Sequence, residues 1–324
     1  MNPVRALAVL LLGYAAATAQ PRPLLIDTDA GSDDIMAVAL LLAHSDFAVD
    51  AITVVNGTAH VDPGARNIGR LLDVAGRQNI PVFAGRDHPL RGNHEFPPEW
   101  RKVADGFPIL GVFPSRVAQH KPAADYLVEH LRNVREPVGI LALGPLTNIA
   151  EALQRDRSIA RKIREMVIMG GAVHVPGNLQ DGGVFHTKNS TAEWNIFIDP
   201  LAAKIVFRSG VPIRLIGLDA TNRVKIDSEF LLQFAEKHHS RLGAVVWGVL
   251  QADQGSIDQG ILYAWDPLAA AALLQPEIIK TEPMHIHVTD EGQTVASPGP
   301  PNANVAIDAD AAAFRALFLK SFAP

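Results

Sequence analysis

Short apolar runs alternating with amphipathic stretches constrain this chain more than any other feature. Leu24-Leu25-Ile26, Ala51-Ile52-Thr53-Val54-Val55, Pro81-Val82-Phe83, Val138 to Leu143, Met166 to Met169 and Ile213 to Ile216 have the length and composition of buried strands. Between them, Asp33 to His44, about Pro63 to Gly76, Leu146 to Gln154 and Pro200 to Arg208 carry apolar residues at helical spacing. Strands alternating with helices predict an α/β fold, a single domain with a mostly parallel, Rossmann-like sheet covered by helices through right-handed crossovers. Ser228 to Leu274 reads as helical, and from Pro283 the chain returns to strand, loop and a final helix. The Pro- and Gly-rich stretches at 85–122 and 170–192 are long for ordinary connections and are candidate active-site lids.

The 324 residues, 48% of them apolar, are enough for a large single core. With 29 basic against 34 acidic side chains the net charge is −5, which argues against a nucleic-acid partner, since phosphate binding needs a basic stripe. The one basic cluster, Arg155, Arg157, Arg161, Lys162 and Arg164, has Asp156 and Glu165 among it and reads as a solvated helix face. There is no cysteine, which excludes disulfides, thiolate nucleophiles and sulfur-built metal sites, so any metal must sit among oxygens or imidazoles. Arg5, the apolar run Ala6 to Ala17 and the small residues of Ala17-Thr18-Ala19 before Gln20 read as a signal peptide over 1–19. That run is shorter than the roughly 20 residues of a membrane span. The expectation is an exported domain over 20–324, periplasmic or secreted, with no membrane partner after cleavage.

Chemistry concentrates in Asp27-Thr28-Asp29-Ala30-Gly31-Ser32-Asp33-Asp34, four carboxylates in eight residues between the first strand and the first helix. Their side chains leave the carboxyl end of the sheet, where open α/β proteins place ligands. A polar turn with a helix cap explains one or two of these acids, not four. Two like charges 4 Å apart repel by about 4 kcal/mol at an effective dielectric of 20, whereas a helix N-terminus offers each anion only about 0.3–1 kcal/mol. A hard cation held by oxygens, Ca²⁺ or Mg²⁺, resolves the conflict. A carboxylate beside a metal-bound water is also a general base, which makes hydrolysis the natural reaction class.

This acidic segment resembles the aspartate motif of the calcium-dependent nucleoside hydrolases, the inosine-uridine preferring family, with Ala30 where a proline is usual. Leu143-Gly144-Pro145-Leu146-Thr147-Asn148, Val167-Ile168-Met169-Gly170-Gly171, Ala192-Glu193-Trp194-Asn195, Asp199-Pro200 and Ala264-Trp265-Asp266 agree, in order, from about residue 23 to 320. Phe96-Pro97-Pro98-Glu99-Trp100-Arg101, Glu193-Trp194-Asn195 and Trp265-Asp266 are similar in particular to the purine-specific inosine-adenosine-guanosine branch; in the other branch a histidine commonly precedes the last aspartate.

The resemblance implies hydrolysis of the N-glycosidic bond of purine ribonucleosides to free base and ribose, by a homodimer. It implies one Ca²⁺ on Asp29, Asp34, the carbonyl of Leu143 and Asp266, with a water and the ribose 2′ and 3′ hydroxyls completing about seven or eight oxygens. Asp29 would take the proton from the metal-bound water. Asp33 would hold the 2′ hydroxyl, Asn178, Glu193 and Asn195 would grip the 5′ and 3′ hydroxyls, and Met169 would lie against the sugar. Trp100 and Trp265 would sandwich the purine, with Trp194 beside them in the substrate site. The family usually has Gly-Asn, or an aspartate, after the second strand; here the order is Val55-Asn56-Gly57, and Asn56 reaches the ribose only if the turn shifts by a residue. His60, His120, His174 and His186 do not converge on a general acid, so stacking is the expected means of activating the departing base.

Other readings stay open at this point. One is a nucleosidase of broad or pyrimidine preference. Asp27-x-Asp29 is also similar to Mg²⁺-dependent phosphatases with an aspartyl nucleophile, which place Thr or Val where this chain has Gly31. A third is an exported nucleoside-binding protein without turnover, which would have no need of the base Asp29.

Overall fold

The computed structural model describes residues 20–107, 110, 118–180, 183 and 185–323; the expected leader at 1–19 lies outside them, as do parts of both lid candidates. Among the described residues ten strands form in chain order: β1 (Arg22–Thr28), β2 (Phe47–Val54), β3 (Val82–Ala84), β4 (Val138–Ala142), β5 (Ile163–Met169), β6 (Ile213–Ile216), β7 (Ile279–Met284), β8 (Ile286–Val288), β9 (Thr294–Ala296) and β10 (Ala303–Ala309). Eight of them make one sheet in the order β3-β2-β1-β4-β5-β6-β10-β7, parallel except for β7, which runs antiparallel to β10. β8 and β9 form a separate antiparallel pair.

The central strands are apolar without alternation because both faces are covered. All five residues of β4 are buried. In β1, Leu24 and Ile26 pack into the core on one face and Leu25 into the core on the other, as the two-residue period of a strand requires. The first face is covered by the helices Ser32–Leu42, Val61–Val74, Arg241–Ala252, Trp265–Leu274 and Ala311–Ser321, the second by Ala123–Asn133, Thr147–Arg155 and Pro200–Phe207. Ala269 to Ala272 are fully buried, and these small side chains let helix Trp265–Leu274 lie close against helix Ser32–Leu42. Among the described residues no helix is long and apolar enough to cross a membrane.

Two features differ from the sequence reading. The basic cluster is not one helix face: Arg155 ends helix Thr147–Arg155, Arg157–Lys162 is a 3₁₀ turn and Arg164 lies in β5. Three of its five charges are spent locally, Arg155 on Asp125 and Glu151, and Lys162 and Arg164 on backbone carbonyls. Within the first lid candidate, Pro98–Asp105 is a helix that begins at a proline, where a missing N–H costs nothing.

The strand order places the site. From β1 the chain steps outward to β2 and β3, then returns to β4 on the other side of β1, so the crossovers part above the carboxyl ends of β1 and β4. That crevice is where doubly wound sheets bind ligands. Asp27 to Asp34 leave β1 there and Leu143 leaves β4, the Leu143 N–H bonding the Asp27 carbonyl at 2.8 Å.

Candidate active site

The acidic turn is built by its own backbone. Ala30 has φ of 58°, in the left-handed region. With the chain so turned, Asp34 accepts from the backbone N–H of Asp29 at 3.1 Å and of Gly31 at 3.0 Å, and from the Thr28 hydroxyl. Proline, usual at this position in the family the motif resembles, is locked near φ −65° and cannot take this conformation. Asp27 stands behind the turn, accepting from Thr53 and Asn148, and burial pushes its carboxyl up to about 7.

Asp29 is held from the β2 side. The loop after β2 brings the Thr58 N–H to 2.8 Å and the Thr58 hydroxyl to 3.2 Å from Asp29 Oδ2. Gly57 makes room, since a Cβ there would lie 2.0 Å from the same oxygen. Asn56 is buried and points elsewhere: its side-chain oxygen accepts from Arg101 at 2.6 Å, and it does not line the cavity. The turn shift that Asn56 needed is absent, and Thr58 takes the place beside the acid.

Every other residue to which the resemblance gave a metal or substrate role lines one cavity of about 440 Å³: Asp29, Asp33, Asp34, Trp100, Leu143, Met169, Asn178, Glu193, Trp194, Asn195, Trp265 and Asp266. Helix Trp194–Ile198 organises one wall. Glu193 caps it, accepting from the N–H of Asn195 at 2.9 Å, of Ile196 at 3.2 Å and of Gly171 at 2.8 Å. Burial raises the Glu193 carboxyl to about 7 against the pull of these donors. Asn195 Nδ2 donates to the carbonyl of Leu143 at 2.7 Å and to that of Met169 at 3.3 Å, tying the ends of β4 and β5 together. Asn178 is clamped to Trp194, its Oδ1 accepting from the Trp194 N–H and its carbonyl from the indole N–H. Trp100 meets Trp194 edge-on at 5.4 Å, and Phe96 stacks on Trp194 at 5.0 Å. Trp265 lines the same cavity, and its buried indole N–H has no partner among the described residues.

The electrostatics are one-sided. Six carboxylates line the cavity, Asp29, Asp33, Asp34, Glu193, Asp253 and Asp266, and among the described residues no Lys, Arg or His does. Burial first, and then neighbouring acids, raises Asp29, Asp33, Asp34 and Asp266, with Asp33 reaching about 7. Oxygens of Asp33, Asp34 and Asp266 come within 4.8 Å of one another, and Asp266 Oδ1 is buried without a partner. An oxygen-only, anionic, incompletely satisfied donor set suits a hard divalent cation. Of the histidines, His60 is tied to Asp105 at 2.7 Å. Among the polar groups of the cavity that sequence reasoning missed are Thr58 and Asp253. Neither belongs to a local motif, because each comes to the cavity from a separate crossover.

Comparison with known proteins agrees with this geometry. The family model described as inosine-uridine preferring nucleoside hydrolase matches residues 24–316. The chain is 34% identical over 308 residues to the pyrimidine-specific ribonucleoside hydrolase RihA of Citrobacter koseri, covering 90% of this chain and 95% of that one. Among solved structures it is similar to the plant nucleoside hydrolase PpNRh1, with a TM-score of 0.81 and 27% identity over 94% of this chain and 99% of that one. It is also similar to the purine-preferring ribonucleoside hydrolase from Gardnerella vaginalis, with a TM-score of 0.79 and 26% identity over 93% and 98%. The chain belongs to the inosine-uridine preferring nucleoside hydrolase family and is an N-glycosidase.

Proposed function

We propose that this enzyme hydrolyses purine ribonucleosides to free base and ribose with the help of Ca²⁺. The observation that carries the reading is that one cavity is lined both by a cluster of acids, Asp33, Asp34 and Asp266 with oxygens within 4.8 Å of one another, and by rings, the touching Phe96, Trp100 and Trp194 together with Trp265. The acids Asp29, Asp34 and Asp266 with the Leu143 carbonyl are the residues that would hold the cation. When bound it would supply the positive charge that makes a water acidic and that fixes the ribose diol.

The chain's own groups do the rest. Asp29, steadied by Thr58, is placed to accept the proton of the attacking water as the bond from the anomeric carbon to the base breaks. Asp33 presents its carboxylate to the 2′ hydroxyl, a contact that a deoxyribose lacks. Glu193 Oε1 bonds one N–H and Oε2 bonds two, so Oε1 keeps a lone pair for a sugar hydroxyl. Asn195, whose Nδ2 is spent on carbonyls, has its Oδ1 to offer. Met169, buried at the end of β5, supplies an apolar floor. The departing base lies between the faces of Trp100 and Trp265, which stabilise a purine ring as it gains electron density or a proton by about 0.5–1.5 kcal/mol per aromatic pair beyond burial.

A preference for pyrimidines is the second reading, favoured by the 34% identity to a hydrolase named pyrimidine-specific. Ribose release from inosine and from uridine, each with Ca²⁺ and with EGTA, separates the two. Faster release from uridine selects the second reading, and release undiminished by EGTA rejects the cation. Export after cleavage of the 1–19 leader and pairing into a homodimer belong to the same proposal; the N-terminus of the secreted protein and light scattering test them.

A further inference from the structure

One carboxylate of the cavity has no part in the chemistry above. Asp253 follows helix Arg241–Ala252 and lines the cavity, as do Ser256 and Gln259. The Ser32 hydroxyl interacts with the Asp253 carboxylate and favours its charged form against burial. Its Oδ2 is buried and has no hydrogen-bond partner among the described residues. Asp253 is not among Asp33, Asp34 and Asp266, whose oxygens lie within 4.8 Å of one another, although its charge is felt at Asp33. Among the described residues no basic side chain lines the cavity to neutralise it. A buried acceptor left bare is costly unless a ligand supplies the donor.

The ribose end already has more acceptors than a sugar has hydroxyls. The remaining part of a nucleoside is the base, and bases differ in what their ring edge offers. Inosine and guanosine present N1–H, with a second donor from the 2-amino group in guanosine, and uridine presents N3–H. Adenosine and cytidine present a lone pair at the corresponding ring nitrogen. We propose that Asp253 reads this edge, accepting from the ring N–H of lactam bases and disfavouring adenosine and cytidine, whose lone pair would face a carboxylate oxygen. The assignment rests on the nucleoside hydrolase reading but not on the choice between purine and pyrimidine, since each class contains both kinds of base.

The test measures kcat/KM for inosine, adenosine, uridine and cytidine, with 4-nitrophenyl riboside as a substrate whose leaving group has no such edge. The wild-type enzyme should favour inosine over adenosine, and uridine over cytidine, by roughly tenfold or more, the scale on which a polar mismatch in a buried site discriminates. Asp253→Asn, whose amide can donate to a lone pair, should shift the inosine-to-adenosine ratio toward adenosine by about tenfold, and should lose more on inosine than on 4-nitrophenyl riboside. Asp253→Ser tests the same ratio should the asparagine variant not fold. Wild-type cleavage of adenosine equal to that of inosine, or a ratio that neither variant moves, overturns the assignment while leaving the hydrolase reading in place. Ribose release from none of the four nucleosides overturns the hydrolase reading itself, and the assignment with it.

Discussion

Thr58 donates twice to a single oxygen of Asp29, from its backbone at 2.8 Å and from its hydroxyl at 3.2 Å. The pair joins the ends of two neighbouring strands, β1 and β2, and fixes the direction in which the acid faces the cavity. A hydrogen bond to a charged group contributes about 1.5–3 kcal/mol, so a base aimed by two of them is sensitive to the loss of either. Thr58→Val keeps the shape and the N–H and should lower kcat by about tenfold with little change in KM. Gly57→Ala, which drives a methyl into Asp29 Oδ2, should cost more than a hundredfold. Steady-state kinetics on inosine with circular dichroism as a folding control decide it; a Thr58→Val enzyme of wild-type kcat removes Thr58 from the site.

The crowded acids give stability a pH dependence with a definite sign. Burial, and then the charge of Asp29, raises Asp33 to about 7, and burial with Asp34, Asp33 and Asp29 raises Asp266. The folded cation-free protein therefore holds protons that the unfolded chain has released above about pH 4. Stability from this source is complete below that pH and is lost as pH climbs through about 7. A cation that takes the place of those protons should stabilise more at pH 8 than at pH 5.5. The difference in Tm between calcium and EGTA, measured at both pH values, should grow with pH; a difference that stays constant or shrinks contradicts the cation's place among these acids.

Glu193 and Asn195 are structural as well as substrate-facing. Three backbone N–H groups converge on Glu193, and Asn195 bridges two strand ends through one amide nitrogen. Asn195→Asp replaces a donor by a carboxylate aimed at two carbonyls, leaving buried acceptors unpaired at about 1–3 kcal/mol. The expected outcome is a fall of several degrees in Tm together with a fall in kcat. Loss of activity at wild-type Tm would show that the side chain serves the sugar alone.

What the sequence revealed depended on how local the signal was. β6 was read to the residue, because its run Ile213 to Ile216 is bounded by Pro212 and Gly217. The acids of the first turn were legible because they are consecutive in the chain. Helix Ala123–Asn133 was missed although Ala123, Ala124, Leu127, Val128 and Leu131 form a regular buried stripe. Helix Pro98–Asp105 was hidden more deeply, since only Arg101 and Ala104 on it are buried. Thr58 and Asp253 gave no signal, because the groups they serve lie 29 and more than 200 positions away. Asn56 was misleading for the same reason: its direction is set by Arg101, 45 positions on.

Trp265 tests the role of stacking apart from the rest of the reaction. It opens helix Trp265–Leu274 beside Asp266 and lines the cavity. Trp265→Ala should reduce kcat/KM for inosine by roughly tenfold more than for 4-nitrophenyl riboside, whose leaving group needs no help from an aromatic face. Equal losses on the two substrates would assign the ring to packing.

Ala30 offers a test of the turn on which the whole acidic end is built. Left-handed φ costs a residue with a Cβ about 1–2 kcal/mol, and here the surrounding hydrogen bonds to Asp34 and Thr28 hold it in place. Ala30→Gly relieves that strain but gives the unfolded chain more freedom, by about 0.5–1 kcal/mol, so the two effects nearly cancel and Tm should move little. Ala30→Pro introduces the residue usual in the resembling family, yet it removes the N–H that Ala30 donates to Thr28 at 3.1 Å and forbids the observed φ. It should lower Tm markedly and reduce kcat with inosine by more than tenfold, through displacement of Asp29 relative to Asp34. An Ala30→Pro enzyme with wild-type Tm and kcat would mean that the turn at Ala30 is right-handed, as proline demands.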